Sequence, residues 1–283
     1  MKPYKTLKIV NKNKYAEMYY RRALSDETER LIKAIFKDID KEYTTIYTSN
    51  AGSINKMQAL FKKYKGKYLD IFLKNCEKII KKWFKISSSQ SIRSMKEVYK
   101  KALGRNVIIK YDKIYDDVLK LVIQRNVGLI QNTTLQTLNN IENIVYDGIT
   151  TGQGLKTVEK DLNKQEHISS DRIKRIARDQ TAKANSALNQ LSQQSAGIEF
   201  FEWDTAQDER VSTGYGGHKE LQGKIYKWGD VEHYPIIDSY GHRGLPSQRV
   251  NCRCTALAVV LTDDYEAKRL SDGSYKIIKG RLS

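Results

Sequence analysis

A chain of 283 residues, 40% hydrophobic and 29% charged, is long and apolar enough for one large or two modest folded domains, which excludes wholesale disorder. Its 50 Lys and Arg outnumber 33 Asp and Glu by 17, and the excess is one-sided: residues 1–110 hold 27 basic and 10 acidic side chains, whereas residues 111–283 hold 23 of each. Three cysteines, Cys76, Cys252 and Cys254, argue against a secreted disulfide framework, and no apolar run reaches signal-peptide length or the roughly 18 residues of a membrane span, so a soluble protein of a reducing compartment is expected.

Prolines occur only at 3, 235 and 246, so nothing from Lys5 to Tyr234 carries the strongest helix breaker and a long helical region is predicted. Ser25 has the chemistry of an N-cap, followed by Asp26, Glu27 and Glu29 for a positive first turn, and Leu31, Ile35, Ile39, Tyr43 and Ile46 recur at helical spacing. A second stripe, Met57, Phe61, Tyr64, Tyr68, Phe72, Cys76, Ile79 and Trp83, is surrounded by Lys62, Lys63, Lys65, Lys67, Lys74, Lys78, Lys81 and Lys82. Cys76 on that stripe reads as a core thiol, and Tyr64, Tyr68 and Trp83 as core residues rather than platforms for nucleic-acid bases. Gly66 weakens the middle of this helix. The Ser87-Ser88-Ser89 run is predicted to end the pattern, with a shorter helix from Ser91 to Leu103 closed by Gly104.

From Asp112 to Asp147 helical spacing returns, about 54 Å if unbroken at about 1.5 Å per residue, with Gly128 or Thr133-Thr134 as candidate breaks. Gly148 and the Thr150–Gly154 turn end it. A short helix is expected over Leu155–Asn163 and another from Ser170-Asp171 to Ser195, stopped by Gly197. Beyond Gly197 the spacing changes to short β-prone pieces, Phe200–Trp203, Lys224–Trp228 and Cys252–Leu261, and Asp272-Gly273 between Tyr265 and Tyr275 suggests a last hairpin. The fold class is therefore α+β: a long, mainly helical N-terminal region followed by a small α+β module with short strands. The expected division is a basic helical region over 1–147, a module over 148–262 and a tail over 263–283.

Chemistry concentrates in the module. Cys252 and Cys254, two apart on an expected strand, project from one face, and His218 with Asp208 or Asp204 could complete a tetrahedral zinc set; the alternative is that both thiols pack in the core. His233 and His242 read as loop residues. Cys252, His218 and Asp208 can formally be cast as a nucleophilic triad, but no local signature of a hydrolase, zinc protease or phosphate loop accompanies them. Gly214, Gly216 and Gly217 around Tyr215 read as a flexible loop. The enzymatic alternative is a metal-dependent nuclease using His218, Asp208 and His242, or a toxin-like effector.

The ordered set Ile173 to Thr181, Asn185, Gly197, Trp203, Asp208-Glu-Arg210-Val, His218-Lys-Glu-Leu-Gln-Gly223 and Pro246 through Asn251-Cys252-Arg253-Cys254-Thr255 resembles the phage head morphogenesis domain of Mu F-like minor capsid proteins. The resemblance covers about residues 148 to 260. It implies a non-enzymatic minor head protein of a tailed phage or prophage. Such a protein would act in prohead assembly with the portal and other capsid or scaffold proteins, and in packaging or delivery of DNA, assembled in the bacterial cytoplasm and residing in the prohead or virion head. It has no membrane role. Many members carry His-Pro where this chain has Arg249-Val250, and some a Cys pair where it has Ser212 to Gly217, which removes candidate metal ligands. Packaged DNA is the natural polyanion for the basic N-terminal region, with Lys62, Lys63, Lys65, Lys67, Lys81 and Lys82 nearest it, although lysine-rich solvated helix faces would give the same count. Arg210 and Arg253 could pair with Asp204 or Asp208, and Asn251 could satisfy loop backbone.

Overall fold

The computed structural model describes residues 4–7, 14–48, 53–104, 112–262 and 264–280. The chain forms two compact units, each assembled from discontinuous segments: a helical unit from residues 15–84 and 119–178, and a sheet unit from residues 1–14, 85–118 and 179–283. The basic excess of the first 110 residues is thereby divided: the helical unit has 24 Lys and Arg against 15 Asp and Glu, net +9, and the sheet unit 26 against 18, net +8.

Helix α1 spans Lys14–Thr48, starting well before Ser25. The reason is that Ala16, Tyr20 and Leu24 extend the buried stripe backwards, so the tertiary interior outweighs the local cap signal at Ser25. Helix α2, Ser53–Lys63, passes through a π-helical turn at Tyr64–Tyr68 into α3, Leu69–Leu103; Gly66 there leaves helical geometry, at φ −103° and ψ −105°. Tyr20 stacks on Trp83 with ring centroids 4.3 Å apart and donates to Asn126 Oδ1 at 2.6 Å, while Cys76 is fully buried beside them. Burial pushes the Cys76 thiol up to about 12, as a core thiol requires.

Helix α3 runs through the serine run. Ser88 and Ser89 donate to the Lys85 carbonyl and Ser87 to Asn185 Oδ1, so the hydroxyls are satisfied within and beside the helix instead of competing with it. Helix α4, Asp112–Thr150, is unbroken at Gly128 and Thr133-Thr134. Its buried Thr137 donates back to the Thr133 carbonyl and meets Ser169 Oγ at 3.1 Å. Helix α5, Leu155–Ser195, is one helix and not two: the expected start, Ser170, lies inside it, and the preceding Ser169 is buried against Thr137. Gly197, at φ +75°, ends α5 with Ile198 N donating to Gln193 O and Gly197 N to Gln194 O, a Schellman closure. No helix among the described residues is long and apolar enough to cross a membrane.

Among its described residues the sheet unit holds six antiparallel strands: β1 Tyr4–Leu7, β2 Phe200–Asp204, β3 Ile225–Lys227, β4 Thr255–Leu261, β5 Tyr265–Arg269 and β6 Tyr275–Lys279, in the order β1-β4-β2-β3-β6-β5. The expected terminal hairpin is β5–β6. Strand β1 had no counterpart among the sequence expectations; it pairs Tyr4 with Leu261 and Leu7 with Ala258 at the sheet edge. Alternation on β2 sends Phe201 and Trp203 into a cluster with Tyr226, Trp228 and Leu245, and Phe200 into another with Ile225, Val259 and Ile277. The last turns of α5 are tied to the sheet by polar side chains: Asn189 and Gln193 both donate to the Ala256 carbonyl, and Gln193 Oε1 accepts from Trp228 Nε1 at 3.0 Å. These bonds satisfy buried amides that would otherwise be destabilising, by about 1–3 kcal/mol each when left unpaired.

Candidate functional site

Strand β4 begins at Thr255, paired with Asp204, so Cys252 and Cys254 lie just before it and not on it as expected. The Cys252 N–H turns back to the Arg249 carbonyl, which makes residues 249–252 a turn. Two non-glycine residues near it adopt left-handed backbone, Ser247 at φ +68° and Asn251 at φ +59°, and each is held. Ser247 Oγ donates to the Cys254 carbonyl at 2.8 Å, and the Asn251 N–H donates to Asp179 Oδ1 at 2.8 Å. Asparagine is the side chain, after glycine, that best tolerates this conformation, which gives the Asn of the Asn-Cys-Arg-Cys run a backbone reason.

His218 comes from the other side. Its N–H donates to the Ser212 carbonyl at 2.8 Å, it opens the short turn Lys219–Leu221, and Gly223 at φ +76° returns the chain to β3 with its N–H on the Trp203 carbonyl. Gln222 fastens that return by accepting from Thr205 N and Oγ1 and donating to Asp204 Oδ1. Gly216 and Gly217 are not a loose loop: a Cβ on Gly216 would stand 2.2 Å from the Asp238 carbonyl oxygen, and one on Gly217 2.5 Å from Thr213 backbone. Only glycines allow this approach.

Within this frame three donors converge. The His218 ring is 4% exposed and meets the edge of Trp203 at 5.4 Å between centroids. Its Nε2 lies 3.1 Å from the Ile237 carbonyl oxygen, which can only accept, so Nε2 carries the proton and the Nδ1 lone pair faces the thiols. Cys252 Sγ and Cys254 Sγ each lie 3.4 Å from that Nδ1, and the ligand atoms of the three side chains all fall within 4.8 Å of one another. The Cys254 N–H also points at Cys252 Sγ, at 3.4 Å. The hydrogen bond from the Cys254 thiol pulls the Cys252 thiol down, and the same shared proton pushes Cys254 up. The cluster lines a cleft of about 250 Å³ whose lining also includes Arg210, Ser212, Arg249 and Arg253.

The other expected donors lie elsewhere. Asp208 is bound bidentately by Arg253, at 2.5 and 2.6 Å, and by Arg210 at 3.3 Å; Arg253 above all holds its carboxyl well below the usual carboxylate range. Asp204 takes Gln222 and Thr255. His242 is exposed and faces Asp238 at 2.8 Å, and His233 faces Asp230 at 2.6 Å. Among the described residues, His218, Cys252 and Cys254 are the group of three or more metal-capable side chains that comes together. Ser212, Arg249, Asp179 and Gln222 were missed as parts of the site. Asp179 and Gln222 stand inside the motif stretches Ile173–Thr181 and His218–Gly223, so position within a motif was the available signal.

In the helical unit, Lys62, Lys63, Lys67, Lys81 and Lys82 are exposed, whereas Lys65 is half-buried and paired with Glu142. Lys81 pairs with Glu77 at 2.6 Å, Lys63 lies over the Tyr68 ring and Lys82 over that of Tyr19. Tyr64 and Trp83 are buried, as core residues should be.

Residues 139–257 match the family described as phage Mu protein F like protein. Over these residues the chain is similar to the phage Mu F-like proteins. The Mu F-like segment takes in the end of α4, all of α5, β2, β3 and the start of β4, and so includes His218, Cys252 and Cys254. Two curated relatives extend the comparison. An uncharacterised protein of Haemophilus influenzae is 30% identical over 135 residues, 48% of this chain and 28% of that protein. The minor head protein GP7 of Bacillus phage SPP1 is 24% identical over 201 residues, 64% of this chain and 62% of that protein. The chain thus spans less than two thirds of either relative. No solved structure matches it.

Proposed function

We propose that this protein is a non-enzymatic minor head protein of a tailed phage or prophage. In this reading it assembles in the bacterial cytoplasm into the prohead, together with the portal and other capsid or scaffold proteins, and remains in the virion head. The observation that carries the reading is the Mu F-like segment, supported by the likeness to a phage minor head protein that extends beyond that segment. The site geometry agrees with an architectural role for the motif: Arg253, Arg210 and Asp208 form a clamp, and Asn251 holds a left-handed turn. Proheads and virions isolated from cells producing the phage are expected to contain the chain, and its deletion is expected to lower the yield of intact heads. Absence of the chain from both particles would overturn the reading.

Packaged DNA is the second partner in this proposal. Lys67 in the π-helical turn and Lys74, Lys78 and Lys81 on α3 step by seven, four and three residues and are all exposed, a spacing of roughly 6 Å per four residues that suits a phosphate backbone. Lysines that neutralise phosphates release counterions, so the full chain should lose DNA affinity steeply with salt. Lys67→Glu with Lys74→Glu is expected to reduce the slope of log affinity against log salt by about 0.9 for each phosphate left without its lysine. Unchanged affinity and slope in a folded double variant would remove this face from the interface.

A further inference from the structure

We propose that His218, Cys252 and Cys254 bind one zinc ion as a three-donor centre, and that the fourth position opens onto the arginine-lined cleft and takes water or a small anion. The donor chemistry fits, since two thiolates and a neutral imidazole form a set that suits zinc. The spacing fits as well. Zinc–sulfur bonds of about 2.3 Å and zinc–nitrogen bonds of about 2.0–2.1 Å at a tetrahedral angle put N and S about 3.5 Å apart. Both sulfurs stand 3.4 Å from His218 Nδ1.

Two further features fit a metal. The Nδ1 lone pair and both sulfurs face one another at equal N–S distances, an arrangement that a cation between the three atoms would take as ligands. The outer contacts are those a ligand set needs: Nε2–H on the Ile237 carbonyl fixes the tautomer that offers Nδ1, and the Cys254 N–H supports Cys252 Sγ. Asp208, the carboxylate expected as a further ligand, is held instead by Arg253 and Arg210, which leaves the fourth position to an outside ligand. What lines the opening is cationic, Arg210, Arg249 and Arg253, which favours an anion or hydroxide over a cationic or apolar ligand. The ion would join two segments that lie 34 and 36 positions apart in the chain.

The full chain, purified in reducing buffer without chelator, is expected to hold one zinc per chain. Stripped with chelator and refilled with cobalt, it should show sulfur-to-cobalt charge-transfer absorption, and azide should shift the cobalt visible bands. Cys252→Ser and Cys254→Ser should each lose the bound ion. Folded wild-type chain that takes up no zinc from a zinc-buffered solution overturns the site. A cobalt spectrum untouched by azide overturns the open position. If the serine variants fail to fold, the stoichiometry and spectra of the wild-type chain decide both points.

Discussion

In the unit built from residues 15–84 and 119–178, side chains repeating every three or four positions fill the interior: Tyr20, Leu24, Ile35, Phe61, Cys76 and Trp83 are all buried on helices. In the unit built from residues 1–14, 85–118 and 179–283, the decisive contacts join positions far apart in the chain. Examples are Asn251 to Asp179 across 72 positions and Cys254 to His218 across 36. The helical interior rests mainly on volume, which many apolar side chains can supply. The sheet unit rests on particular donors, left-handed turns and glycines, which few substitutions can replace. One unit should therefore tolerate repacking better than the other, and paired substitutions can test this.

The largest effects should come from the two buried indoles. Trp83→Ala and Trp203→Ala each remove a fully buried side chain and should destabilise by about 3–5 kcal/mol in denaturant unfolding. The two should differ in a second measurement. Trp203 packs its edge on His218, so its removal should also weaken zinc retention, whereas Trp83→Ala should leave the zinc content of the folded fraction unchanged. Equal zinc retention in both variants would break the contrast between volume and donor placement.

A smaller pair of effects concerns close approach. In the helical unit a Cβ on Gly148 would stand 2.5 Å from Val158 Cγ2 and 2.8 Å from the Tyr43 hydroxyl, both side-chain atoms that can move. Gly148→Ala should destabilise by about 1–3 kcal/mol, typical of overpacking. In the sheet unit the corresponding clash at Gly216 is with Asp238 backbone at 2.2 Å, and φ is +69°. Gly216→Ala should therefore exceed Gly148→Ala by at least the roughly 1 kcal/mol that left-handed backbone costs a residue with a Cβ. Thermal unfolding of the two single variants checks the order, and the reverse order would contradict it.

The same contrast explains what could be read before the structure. Helical stripes, the core position of Cys76, the stop at Gly197 and the short strands beyond it were legible, because each follows from local periodicity or a local backbone preference. The start at Ser25, the serine break and the split at Ser170 were not, because Ala16 to Leu24, Asn185 and Thr137 supply tertiary partners that local signals do not reveal. Strand β1 was invisible for a related reason: four residues, Tyr-Lys-Thr-Leu, become a strand only by pairing with β4, some 250 positions away. In the site, His218, Cys252 and Cys254 could be nominated by residue type, but the commitment of Asp208 to Arg253 could not. Both a carboxylate ligand and a salt-bridge partner read as Asp.

The smallest expected effect tests a polar clamp of the sheet unit by acid. Asp272 at the β5–β6 turn accepts from Ser274 N and Oγ and from Lys224 Nζ at 2.9 Å, and Lys224 chiefly holds its carboxyl down at about 2. A carboxyl whose folded value is depressed stabilises the fold above its unfolded value, near 4, and loses that contribution as pH falls through 4 toward 2. Because the Asp272 side chain is 45% exposed, solvent screening reduces the contribution to about 0.5–1 kcal/mol. Asp272→Asn should lower stability at pH 7 by about that amount and flatten its decline between pH 4 and pH 2. An acid profile that keeps the wild-type slope in the Asn variant would assign the decline to other carboxylates, with Asp208, held low by Arg253, the first to examine by Asp208→Asn.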